Sequence, residues 1–216
     1  DDAEFIRVSV EEVLITLGFT IAIVILTILL FFRQWKATII PSATIPVALI
    51  GVLAGIWLLG FSINLLTLLA LVLATGLIVD DAIVVLENAQ RLQGKGLGRK
   101  AAAVIGTRQV FFAVIATTAV LVSVFVPISF LPSEAGRLFR EFGFVLALSV
   151  IISSFVALSL VPALAARLHL VPQEQEDGTK QEEGAISRRL GAWGGWLNAR
   201  YERILNYCLD RPKLTL

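Results

Sequence analysis

Charged residues vanish from four stretches of the chain: Val13 to Phe32 (20 residues), Ala37 to Val79 (43), Gln109 to Ser133 (25) and Phe142 to Ala166 (25). Each shorter stretch suits one membrane helix, because about 20 consecutive apolar residues cross a hydrocarbon core about 30 Å thick. The 43-residue stretch is too long for one helix and has to fold back. Gly60-Phe61-Ser62-Ile63-Asn64 is the expected break, since Gly and Asn favour turns. The pattern therefore predicts five spans: 13–32, 39–59, one starting near 65, 110–131 and 142–166. Pro41 and Pro46 fall in the expected opening turns of the second span, where a missing N–H costs least. Gly51-xxx-Gly55 has the small-residue spacing that lets another helix approach closely. Gly94 to Lys100, rich in Gly and cations, reads as a loop, and Ser133 to Glu141 as a short polar link.

After residue 166 the pattern changes. Gln173 to Gly184 carries five acidic residues and no apolar run, so residues 167–186 read as a polar linker. Over 187–209, Leu190, Trp193, Leu197, Ile204, Leu205 and Cys208 recur at helical steps opposite Arg188, Arg189, Arg200 and Arg203. That is the character of an amphipathic helix lying in the headgroup region, or of one packed against a soluble partner. Residues 210–216 begin a further apolar run after Pro212. The predicted fold class is an all-α membrane protein, a polytopic bundle of about five transmembrane helices (13–166) plus a cytoplasmic amphipathic surface helix.

Composition agrees. Of the 216 residues 57% are apolar and 16% charged, against about 25% charged in a soluble domain. A soluble enzyme, a disulfide-stapled secreted domain and a nucleic-acid binder are excluded. Cys208 and His169 are each alone, and His169 reads as an interfacial side chain. Alternating the spans places fifteen of the eighteen cations on one side and only Arg7, Arg137 and Arg140 on the other. The richer side is the expected cytoplasmic one, so an additional span is expected upstream of a chain that opens Asp1-Asp2 and contains no Met.

Asp80 and Asp81 are the charged residues that lie well inside an apolar span. Arg91, eleven residues on, marks the interface, which puts the pair about 16 Å deep, near the midplane. A carboxylate there costs about 2.5–3.5 kcal/mol even on insertion scales. The two must face protein or a water-filled path, with at least one protonated or paired with a cation, and they titrate as a coupled pair. Gly76 and Ala74 leave space nearby for an opposing helix. The pair reads as a proton relay coupling proton entry to conformational change. The alternatives are a structural ion pair between helices and an ion site of the sodium/proton antiporter type. Antiporter folds tend to break helices with Gly or Pro at the site, whereas Leu77 to Asn88 contains neither, which favours an unbroken helix and the relay. An intramembrane aspartyl protease would need two Asp on facing helices, and these are neighbours on one. Since no span offers Lys, Arg or His at matching depth, any counter-cation belongs to another part of the molecule. Glu87, nearer the interface, pairs with a loop cation or joins the relay. No catalytic, cofactor-binding or metal-ligating residue is indicated.

The run Gly76-Leu77-Ile78-Val79-Asp80-Asp81-Ala82-Ile83-Val84-Val85-Leu86-Glu87-Asn88 closely resembles the fourth-span signature of resistance-nodulation-division exporters. Ala37-Thr38-Ile39-Ile40-Pro41 with Ile45-Pro46-Val47, Gly60 to Asn64, Val124-Phe125-Val126-Pro127-Ile128 and Leu160-Val161-Pro162-Ala163-Leu164 resemble further segments of that family in order and spacing. The paired Asp is similar to its hydrophobe/amphiphile branch. The resemblance implies part of a drug/proton antiporter of the bacterial inner membrane, driven by the proton-motive force, with protons as coupling ion and no cofactor. It implies that the five spans correspond to the second to sixth of twelve, and that residues 1–12 are the periplasmic end of a porter domain. Asp80 and Asp81 would be the proton-relay pair. The implied partners are the lipid bilayer, the pump's remaining spans and periplasmic domains, two further copies in a homotrimer, a periplasmic adaptor, an outer-membrane channel and hydrophobic or amphiphilic drugs, with no nucleic acid. Because the family's partner Lys and polar helpers lie in its tenth and eleventh spans, and its first span and two large periplasmic regions are also implied to lie outside this chain, no drug transport is expected of it by itself; the alternative is a non-transporting structural fragment.

Overall fold

A computed structural model describes residues 2–32, 34–130, 132, 134–168, 170 and 200. The chain divides into two compact units, residues 1–172 and 173–216. His169, Cys208 and, apart from Arg200, the segments 173–186, 187–209 and 210–216 lie outside the described residues.

Five helices follow one another: α1 Asp2–Phe32, α2 Trp35–Leu58, α3 Leu65–Gly94, α4 Arg99–Ile128 and α5 Glu134–Ala165. All five contain stretches long and apolar enough to cross a membrane, and no strand occurs among the described residues. The fold is the expected all-α bundle. In lipid an apolar chain has to satisfy its own backbone N–H and C=O groups, and a helix does so within one segment. On α2, the strongly exposed Trp35 and Trp57 stand 22 residues apart. That is about 33 Å along a helix, close to the thickness that interfacial Trp residues bracket.

The helices outrun the uncharged stretches. α4 starts at Arg99, not near Val110, and stops at Ile128 instead of Leu131. α5 takes in residues 134–141, which had read as a link, and the expected Gly94–Lys100 loop shrinks because Arg99 and Lys100 form the first turn of α4. An uncharged stretch marks what sits in hydrocarbon, whereas helical hydrogen bonding is local and continues into the headgroup region until something stops it. For the same reason Pro41 and Pro46 lie inside α2, not in its opening turn, since that helix already begins at Trp35. Along this stretch Thr38, Ser42 and Thr44 turn their hydroxyls onto the carbonyls of Gln34, Thr38 and Pro41 at 3.0, 2.8 and 2.6 Å.

The stops are specific. Gly60 (φ +68°) and Gly96 (φ +86°) end α2 and α3 in the left-handed conformation that Gly adopts without a Cβ penalty. The next N–H then folds back in each case, Phe61 onto Ile56 O at 3.0 Å and Leu97 onto Leu92 O at 3.2 Å. α3 restarts at Asn64, whose Oδ1 accepts from the N–H groups of Leu66 and Thr67, both at 3.0 Å, while Thr67 Oγ1 accepts from Asn64 N. The Asn64 Nδ2 and Ser62 Oγ groups donate to Glu141 Oε2 at 2.7 and 3.0 Å, tying this corner to α5.

α3 and α5 form the centre of the unit; α2 and α4 each pack on both, and α1 lies against α2 and α3. Small residues set the approach distances, as expected where lipid removes the hydrophobic drive for helix association. Gly51 and Gly55 meet Ile152 and Leu148 of α5. A methyl group on Gly106 would sit 3.1 Å from both Cα and N of Ala89, and one on Gly143 would sit 2.8 Å from Phe125 O. At the α3–α4 crossing the buried Asn88 donates to Gly106 O at 2.7 Å and to Gln109 Oε1 at 3.0 Å. Gln93 similarly reaches the segment just after α5, where its Oε1 accepts from Leu170 N at 3.0 Å.

Gly106→Val is expected to lower stability against SDS-induced unfolding by about 1–3 kcal/mol, the usual cost of overpacking a tight contact. Gly18→Ala, at a site with nothing within 4 Å, should leave it unchanged or slightly raised.

Candidate functional site

α3 is continuous through Leu77–Asn88 and carries both carboxyl groups. Asp81 is half-buried and turned to α5, where Ser153 and Ser154 are almost fully buried. Its Oδ2 accepts from Ser154 Oγ at 2.9 Å and from Ser153 Oγ at 3.1 Å. Ser153 Oγ also stands 3.1 Å from Ile78 O, and Ser154 Oγ 3.0 Å from Val150 O. Ser154 further shares a hydrogen bond with Thr118 Oγ1 of α4, which lies 2.7 Å from Val114 O. Three helices thus meet at one carboxyl group, through neutral hydroxyls alone.

Asp80 lies about 100° further round the helix and has a different environment. It sits on an exposed stripe of α3, Leu69, Leu73, Gly76, Asp80, Val84 and Glu87, and its side chain makes no hydrogen bond among the described residues. One carboxyl therefore points into the α3–α5 seam and the other out of it. Of the two small residues expected to admit a helix, Ala74 is fully buried while Gly76 has nothing within 4 Å of where its Cβ would stand. The space at Gly76 is open in this unit because that stripe faces away from α2, α4 and α5. Glu87 has no ion pair among the described residues, contrary to the loop-cation expectation. Arg91, one turn on, gives Nη2 and Nε to Asn88 Oδ1 at 2.7 and 3.2 Å instead. Among the described residues no three His, Cys, Asp or Glu side chains gather as metal ligands.

The whole sequence, residues 1–216, matches the AcrB/AcrD/AcrF family. The chain belongs to that family. It is similar to multidrug resistance protein MdtC of Yersinia pestis bv. Antiqua (strain Angola), 46% identical over 148 residues covering 68% of this chain and 14% of that protein. It is likewise similar to MdtC of Escherichia coli (strain K12 / DH10B), 48% identical over the same shares. The chain spans about one seventh of the length of these curated relatives. As an AcrB/AcrD/AcrF family member with five apolar helices it is a multi-pass membrane protein.

The charge pattern pointed to the two Asp residues of this family member and missed the three hydroxyls around Asp81. The available signal was weak: Ser153-Ser154 and Thr117-Thr118 are adjacent polar pairs in otherwise apolar stretches. Ser and Thr are common in membrane helices because they bond back to their own helix, as Ser149 does to Val145 O at 2.7 Å. Removing both donors with Ser153→Ala/Ser154→Ala is expected to destabilise the protein by about 1–3 kcal/mol through an under-solvated buried carboxyl. SDS unfolding can test this, with Ser159→Ala as a neutral control, since its exposed hydroxyl bonds only to Phe155 O.

Proposed function

We propose that this segment is the proton-handling part of a larger multidrug efflux pump of the bacterial inner membrane, a secondary transporter and not an enzyme. Proton-motive force would drive the pump, protons would be its coupling ion, and no cofactor is involved. The observation that carries the reading is Asp81, a carboxyl in the middle of an apolar helix, solvated by the hydroxyls of Ser153 and Ser154 and, among the described residues, not by a cation. A fixed charge is a poor occupant of such a site; a group that gains and loses a proton is a suitable one. Asp80, at the same depth but on an uncovered face, is the second member of the relay and the side on which the remaining spans of the pump would complete the site. The basic ends of α3 and α4 then face the cytoplasm. Hydrophobic or amphiphilic drugs, a homotrimer, a periplasmic adaptor and an outer-membrane channel complete the proposal, supported by the family and by the name multidrug resistance protein of its relatives.

In the full-length pump, Asp81→Asn and Asp80→Asn should each cut ethidium efflux to the level of cells lacking the pump, with unchanged amounts of protein in the membrane. Wild-type efflux from either variant would refute the relay.

A further inference from the structure

Each hydroxyl around Asp81 has two acceptors within reach and a single proton to give. Ser154 Oγ is 2.9 Å from Asp81 Oδ2 and 3.0 Å from Val150 O. Thr118 is bonded to Ser154 Oγ and also lies 2.7 Å from Val114 O. Two complete bonding patterns therefore fit the same atoms. With Asp81 ionised, Ser154 donates to the carboxylate and accepts from Thr118, so α4 is bonded to α5. With Asp81 protonated, the carboxyl O–H donates to Ser154, which turns its proton to Val150 O. Ser154 then accepts from α3 and donates to a neutral carbonyl instead of a carboxylate, which makes it the weaker acceptor for Thr118, and the Thr118 proton turns to Val114 O on its own helix. No hydroxyl loses a hydrogen bond in either state; what changes is whether α4 is tied to α5.

We propose that Thr118 is a positioning residue that reads the protonation state of Asp81 and converts proton uptake into release of the middle of α4 from α5. The inference rests on the proton-relay reading and adds to it a mechanical output. The ends of α4 stay fixed in both states, by Asn88 on Gly106 O and Gln109 at one end and by Ser129 Oγ on Arg140 O (3.1 Å) at the other. The freedom gained is therefore confined to the middle. Asp80 is the other titratable group at this depth. The facing parts of α1, α2, α4 and α5 carry no charged residue between Val13 and Phe32, Ala37 and Leu58, Gln109 and Ile128, or Phe142 and Ala165. The exposed neighbour Thr117 bonds only to carbonyls of its own helix, those of Ala113 and Val114, at 3.1 and 2.9 Å, and so is a built-in control.

The test is the pH profile of ethidium efflux by the full-length pump carrying Thr118→Val, Thr118→Ser, Thr117→Val or Asp81→Asn. Only the ionised state loses a donor in Thr118→Val, so its midpoint should move to higher pH by about half to one unit, the size of one hydrogen bond present in one protonation state. Thr118→Ser and Thr117→Val should follow the wild type. If Thr118→Val fails to accumulate, Thr118→Ala takes its place with the same expected shift. A wild-type midpoint in the hydroxyl-free variant, or an equal shift in Thr118→Ser, overturns the switch while leaving the relay standing, provided Asp81→Asn is inactive. Proton-coupled efflux by Asp81→Asn overturns both.

Discussion

A carboxyl group in the middle of an apolar helix has to be solvated by protein, because lipid offers nothing to hydrogen-bond it. The packing of α3, α4 and α5 meets that demand. Ser153 and Ser154 bring α5 to Asp81, and Thr118 brings α4 to Ser154. The solvating groups are neutral, so they accommodate the carboxyl with or without its proton. A cation in the same place would favour the charge and oppose its neutralisation. Among the described residues, Asp81 is therefore held by hydroxyls and not by an ion pair between helices.

The rest of the unit keeps these helices in register. Polar side chains cluster at the two ends of the bundle, Asn64 and Ser62 on Glu141 at one, Asn88 and Gln93 at the other. Between them, apart from the hydroxyls around Asp81, the core is mainly apolar, and Gly51 and Gly55 let α2 come close to Ile152 and Leu148 of α5. α1 and most of α4 present apolar surface outward, as helices facing lipid do. Asp80 lies instead on the exposed stripe of α3.

Much was legible in the residues alone, for reasons local to the chain. Hydrocarbon forbids charge, so uncharged stretches revealed five spans; Gly60 and Asn64 revealed the fold-back, because one adopts positive φ and the other caps a helix with its own side chain. The rarity of carboxyls at that depth identified Asp80 and Asp81. Helix ends were less legible, since hydrogen bonding continues past the membrane boundary that the charges mark, as at Arg99 and at residues 134–141.

The unequal surroundings of the two Asp residues and the bond between Thr118 and Ser154 depended on which helix faces which. Neighbouring residues on a helix point in directions about 100° apart, and only the placement of α5 beside α3 determines which of the two is enclosed. A hydroxyl in an apolar span can always bond back to its own helix, so the sequence by itself determined the spans and the buried charge. The partners of that charge were decided by the tertiary structure, because solvation inside a membrane comes from side chains distant in sequence that only packing brings within hydrogen-bond reach.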